Sequence, residues 1–146
     1  MKKISNLDIP KNTRCAFCDY LSGNRPYTVL HKDENIAILV TREQRGLGHV
    51  LAIPIRHVES ILDIEDEEAA ELMKVIRKVA TAIDQAYGRP GISIWQNNGI
   101  PAGQAIAHVH FHIAGTLEIG GTERGTVPEI SLEETNAIAT RILQFF

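Results

Sequence analysis

The stretch Ala107-His108-Val109-His110-Phe111-His112-Ile113-Ala114 alternates imidazole with apolar side chains and decides how the rest of the chain is read. In an extended strand, alternate side chains share a face about 6.6 Å apart, so the pattern predicts His108, His110 and His112 on one face. Val109, Phe111 and Ile113 then form the other face, apolar enough to be buried. Three of the six histidines in the chain fall within these five positions.

Upstream of this strand, Asn97 to Gln104 form a connection bearing Gly99 and Gly103, and Ile92 to Gln96 read as the preceding strand. Before that, Ala69, Leu72, Met73, Ile76, Val79, Ala80, Ile83 and Tyr87 recur at helical spacing. One long amphipathic helix from Glu65 to Tyr87 accounts for them, its acidic start suited to the helix dipole and Gly88 to its stop. Further toward the N-terminus, Tyr27–Leu30 and Ile36–Val40 flank the turn-like Lys32-Asp33-Glu34-Asn35 as a hairpin, and His49–Pro54 reads as another strand. Ala16–Leu21 forms a short helical turn stopped by Gly23 and Pro26. After the histidine strand come a glycine-bearing segment, Gly115 to Pro128, and a last helix from about Leu132 to Leu143. These elements specify an α+β fold with a mainly antiparallel five-stranded sheet, one long helix and a short C-terminal helix. The 146 residues make one domain, with a core at about 15–115 and a C-terminal loop and helix at 116–146.

Composition limits the function. A net charge of -3 offers no broad basic field, so polymeric nucleic acid is not an expected partner. The opening residues lead into no apolar run long enough for a signal peptide or membrane span, which places the protein in the cytoplasm. The two cysteines, Cys15 and Cys18, have the spacing of metal ligands or of a redox pair. No βαβ setting surrounds them to favour the redox reading.

For the histidines, two chemistries compete. Three same-face positions on a straight strand spread over about 13 Å, too far for all three to reach one zinc with bonds near ~2.1 Å. The alternative is phosphoryl chemistry, with the middle imidazole as nucleophile and its neighbours donating protons or steadying oxygens. Gly99, Gly103 and Gln104 just upstream supply a loop whose backbone N–H groups and side-chain amide can approach phosphate oxygens.

Cys15-Ala16-Phe17-Cys18, Gly48-His49-Val50-Leu51-Ala52-Ile53-Pro54, Arg56-His57-Val58, Gln96-Asn97-Asn98-Gly99 and Ala102 to Ile113 together form an ordered set that resembles the histidine-triad (HIT) superfamily, specifically its zinc-containing C-x-x-C bacterial type. The resemblance covers the chain from Cys15 to about Gly115. It implies a homodimeric α+β hydrolase or nucleotidyl transferase acting on the α-phosphate of nucleoside phosphoramidates or dinucleoside polyphosphates through a nucleotidyl-histidine intermediate. By motif position, His110 is then the nucleophile, with its other ring nitrogen held by a backbone carbonyl. His112 contacts the phosphate or leaving group and His49 supports the cluster. Asn97, Gly103, Gln104, Ala105 and Thr41 surround the phosphate and ribose of a purine nucleotide, and Ile38 and Leu39 form the base pocket. The same resemblance implies a structural zinc on Cys15, Cys18, His57 and His108. His31 is a competing ligand by residue type, though an exposed hairpin histidine is the better reading of it.

Two positions depart from the family pattern. Thr41 stands where relatives carry Asp or Asn for the ribose, and Ala105 where they carry Ser or Thr, leaving only a backbone N–H there. These departures motivate an alternative, a nucleotide-binding or interaction module of the same fold with weak turnover. The loop Arg42-Glu43-Gln44-Arg45-Gly46 offers two arginines that reach an extended polyphosphate or are simply solvated, and Gly115 to Pro128 either covers a partner's site or is an ordinary loop.

Overall fold

The computed structural model describes residues 5–146. Its order is a short helix α1 (Ala16–Ser22), strands β1 (Val29–Lys32), β2 (Ile36–Val40) and β3 (Leu47–Pro54), helix α2 (Asp66–Tyr87), strands β4 (Ile92–Trp95) and β5 (Phe111–Gly115), and helix α3 (Leu132–Leu143). The strands form one open antiparallel sheet in the order β1-β2-β3-β5-β4. This is the α+β architecture that the alternating pattern predicts.

The two sheet faces are covered differently. Ile36, Ile38, Val40, Val50, Ala52 and Ile113 pack beneath Leu72, Ile76, Val79 and Ile83 of α2 and Ile142 of α3. Ala37, Leu39, Leu51 and Ile53 face the other way and meet Phe17 of α1. Residues of β2 are thus buried on both faces, which explains its unbroken apolar run. Helix α2 opens with a Glu68 carboxylate accepting from the Glu65 N–H at 2.9 Å and stops at Gly88, whose φ of 60° fits the left-handed cap.

Register places the site. Leu39 pairs with Leu51, Leu51 with His112, and His112 with Trp95, so these four form one row across β2, β3, β5 and β4 on the face away from α2. The β3–β5 ladder shifts between Leu47 and Val50, where Gly48 takes a φ of +64°. That irregularity releases His49 from regular pairing. A β-carbon at Gly48 would stand 2.6 Å from the Tyr87 ring, so both backbone and space require glycine here.

The histidine stretch is not a single strand. β5 begins only at Phe111, while the Val109 N–H donates to the Val58 carbonyl and the His108 N–H to that of Ile106. The predicted even ladder of three imidazoles is therefore an irregular lead-in followed by a short strand, with His108 and His110 both edge-on to Phe17 of α1.

Candidate active site and metal centre

His108 lies completely buried, and its Nε2–H donates to the Pro54 carbonyl at 2.8 Å. The bond fixes the tautomer, so Nδ1 presents a lone pair to the two cysteines. That nitrogen lies 3.4 Å from Cys15 Sγ and 3.7 Å from Cys18 Sγ, and His57 Nδ1 lies 3.5 Å from Cys18 Sγ. All four donor atoms fall within 4.8 Å of one another. A tetrahedral ion with bonds of ~2.3 Å to sulfur and ~2.05 Å to nitrogen would separate such donors by about 3.6 Å. The donor set therefore fits zinc in both chemistry and spacing. Burial, followed by the hydrogen bond and charge of Cys15, pushes the Cys18 thiol up to about 11. A dication between the sulfurs would reverse that bias. His31 lies elsewhere, 3.1 Å from the Asp33 carboxylate and edge-on to Phe146, and does not join the cluster.

His110 and His112 open instead into a cleft of about 1100 Å³. The Nδ1–H of His110 donates to the His108 carbonyl at 2.7 Å, leaving Nε2 unprotonated and directed away from the backbone. Burial lowers the basicity of this ring, which keeps the nitrogen free of a proton near neutral pH. Its ring centroid is 5.0 Å from that of His112.

A chain of bonds fixes His112 as well. The Arg45 backbone N–H donates to His49 Nδ1 at 3.0 Å, so the His49 proton must sit on Nε2. Nε2 lies 3.0 Å from His112 Nδ1 and donates to it, which puts the His112 proton on its own Nε2. A backbone amide thereby dictates a donor at the far end of two imidazoles. Burial pushes His49 down to about 3 and His112 to about 2, with Arg45 disfavouring charge on His49 and His110 disfavouring it on His112. Both stay neutral at physiological pH. The pair can thus offer a hydrogen bond to an anionic oxygen without being charged.

Asn97, Gly103, Ala105 and Thr41 line the same cleft. The Thr41 hydroxyl accepts from the Glu43 N–H at 3.1 Å and retains its own proton for a ligand. Three expectations require correction. Gln104 is buried beneath the loop with its amide engaged, accepting from the Gly99 N–H and donating to the Glu59 and Ile106 carbonyls, so its side chain is committed to the shape of the loop. Ile38 belongs to the core under α2, and Leu39 is sealed below Phe17 and Leu51; neither exposes any surface. The apolar wall of the cleft is instead Phe17, Tyr20, Tyr27, Leu51 and Ile106, with Tyr20 and Tyr27 stacked at 3.8 Å.

The two loop arginines line the cleft, partly exposed, and both are held by their own chain. Arg42 donates to the Ile130 carbonyl and pairs with Glu129 at 3.1 Å. Arg45 donates to the Glu123 and Gly125 carbonyls at 3.2 and 2.8 Å. They fasten the segment after β5 over the cleft of their own chain, where Thr122 to Gly125 form part of its wall. Sequence reasoning also missed Trp95, which stacks on His112 and becomes apparent only once the strand ending at Trp95 is paired with the histidine strand.

Residues 22–118 match the sequence model of the HIT domain. The chain is 33% identical over 122 residues to an uncharacterised HIT-like protein of Methanocaldococcus jannaschii, covering 82% of this chain and 94% of that one. It is 32% identical over 99 residues to the adenosine 5'-monophosphoramidase of Schizosaccharomyces pombe, covering 68% of this chain and 71% of that one. Among solved structures, a zinc-bound histidine triad family protein from Mycobacterium smegmatis superposes with a TM-score of 0.74 at 26% identity, over 89% of this chain and 94% of that one.

Proposed function

The chain belongs to the histidine-triad (HIT) family, and from that premise we propose that it is a hydrolase or nucleotidyl transferase acting on the α-phosphate of purine nucleoside phosphoramidates or dinucleoside polyphosphates. The observation that carries this reading is the bond from His110 Nδ1 to the His108 carbonyl, which leaves Nε2 as a lone pair in the cleft beside the His112 donor.

In the first step, His110 Nε2 forms a bond to the α-phosphorus as the bond to the leaving group breaks, its electron pair departing with that group. A nucleoside polyphosphate leaves as an anion and needs no proton, whereas an amine takes one from solvent. His112 donates a hydrogen bond to a phosphate or leaving-group oxygen. It cannot release a net proton, because His49 and the Arg45 amide behind it have none to pass forward. In the second step, the oxygen of water bonds to phosphorus, the phosphorus–nitrogen pair returns to His110, and the proton of water goes to solvent. Asn97, Gly103 and Ala105 surround the phosphate, Thr41 meets the ribose, and the base rests against Phe17, Tyr20 and Leu51.

Zinc on Cys15, Cys18, His57 and His108 is structural in this reading, since four protein ligands leave no position for substrate. Its contribution is to tie α1, and with it the Phe17 and Tyr20 wall, to the loop after β3. A metal-ready cysteine pair suits a reducing compartment, so the reading places the protein in the cytoplasm. A homodimer completes it: β4 is an edge strand whose Ile94 is half exposed and available to a second copy.

Mixing the protein with adenosine 5'-phosphoramidate, quenching and weighing the intact chain tests the assignment. An adenylyl adduct and AMP release are expected with the wild type and absent with His110→Ala. No adduct and no product from the wild type, or equal turnover by both, would overturn it.

A further inference from the structure

Trp95 is the only tryptophan in the sequence, and sheet register sets it directly across from His112. The two ring centroids are 4.6 Å apart with 3° between the planes. His49 approaches the same indole at 5.1 Å, tilted by 44°. Two constraints therefore act on the His112 imidazole. His49 Nε2 holds one ring nitrogen at 3.0 Å, and the indole covers one flat face. The hydrogen bond at Nδ1 restrains only one edge of a ring that turns about its Cβ–Cγ bond, so small coupled changes at χ1 and χ2 still swing the opposite N–H. A parallel aromatic surface stops that swing, because tilting the imidazole drives its edge into the indole.

We propose that Trp95 is a positioning residue for the phosphoryl chemistry: by fixing the plane of His112 it aims the Nε2–H at the oxygens of the reacting phosphate. The proposal rests on the functional reading above. It assigns to β4 a part in the reaction that neither the histidine motif nor the glycine loop contains. A donor misaligned by tens of degrees loses much of its hydrogen bond, so the effect falls on the step in which charge builds on those oxygens.

Trp95→Leu keeps apolar bulk without a flat face, and Trp95→Phe restores one. With adenosine 5'-phosphoramidate as substrate, Trp95→Leu is expected to lower kcat roughly 3- to 10-fold while KM changes less than about twofold, and Trp95→Phe to recover most of the loss. Unchanged kcat in Trp95→Leu, or equal losses in both variants, would overturn the proposal. A second readout is independent of turnover. The orientation of the His112 ring, read from crystal structures of the three proteins, is expected to be single and parallel to the ring at position 95 in the wild type and Trp95→Phe, and tilted or spread over several orientations in Trp95→Leu. An unchanged single ring plane in Trp95→Leu would overturn the proposal, even if no protein turned over and the functional reading itself had failed.

Discussion

Lowering the pH from 7 to 5 should destabilise the fold through its buried neutral histidines, His49 among them. In the unfolded chain a histidine takes up a proton below about 6.5. In the fold, burial and Arg45 hold His49 down to about 3, so it remains neutral across this interval. A depressed folded value means that the stabilisation is complete above the unfolded value and is lost as the pH falls toward the folded one. Between pH 7 and 5, the unfolded state gains protonation worth about 2 kcal/mol at this one side chain. His49→Gln removes the titration while its amide N–H stands in for the Nε2 donor to His112. The variant should be less stable at pH 7 by about 1 kcal/mol for the lost acceptor of the Arg45 N–H. It should then lose about 2 kcal/mol less than the wild type on acidification. Urea unfolding followed by far-ultraviolet circular dichroism at both pH values, with zinc supplied, gives the difference directly. Acid weakening of the metal site is common to both proteins and cancels. Equal losses in wild type and His49→Gln would refute the neutral relay from Arg45 through His49 to His112.

Two other outcomes follow from the site. Elemental analysis should find one zinc per chain, and a strong chelator or Cys18→Ser should lower the melting temperature by about 5–10 °C, consistent with an ion tying α1 to the sheet; an unchanged melting temperature in verified metal-free protein contradicts the structural role. Tyr20→Ala should raise KM for adenosine 5'-phosphoramidate roughly tenfold and leave kcat near the wild-type value, because it removes cleft wall far from the reacting atoms. A kcat loss with constant KM would place Tyr20 in the chemistry instead.

The sequence conveys the chemistry of this site better than its walls. Alternation around His110 identifies a strand, and the spacing of Leu72, Ile76, Val79 and Ile83 identifies the helix beneath it, because both patterns are set by burial on one side, whereas Ala69 and Met73 share the spacing and lie exposed. The grouping of Cys15, Cys18, His57 and His108 follows from family motifs, although 93 residues separate Cys15 from His108. The irregular lead-in at His108 is not legible, since it is imposed by the Val58 carbonyl and not by any local breaker. Ile38 and Leu39 look like pocket residues because β2 is apolar on both faces, and parity cannot tell which face is capped by α1. Tyr20 and Tyr27 lie on either side of the Gly23–Pro26 turn, and only the closed turn brings their rings together. Gln104 has the residue type of a phosphate ligand, but the loop consumes its amide.

The row Leu39–Leu51–His112–Trp95 makes the reactive constellation a property of strand alignment. Substitution at any one place in that row leaves Leu51, His112 and Trp95 otherwise on the cleft side of the sheet. Deleting or inserting one residue within β5 would turn Phe111 or Ile113 toward the cleft in place of His112 and send the imidazole under α2. Laboratory drift of this protein should therefore accept changes of letter along β5 far more readily than changes of length, while length variation gathers beyond Gly115, where the chain has left the ladder.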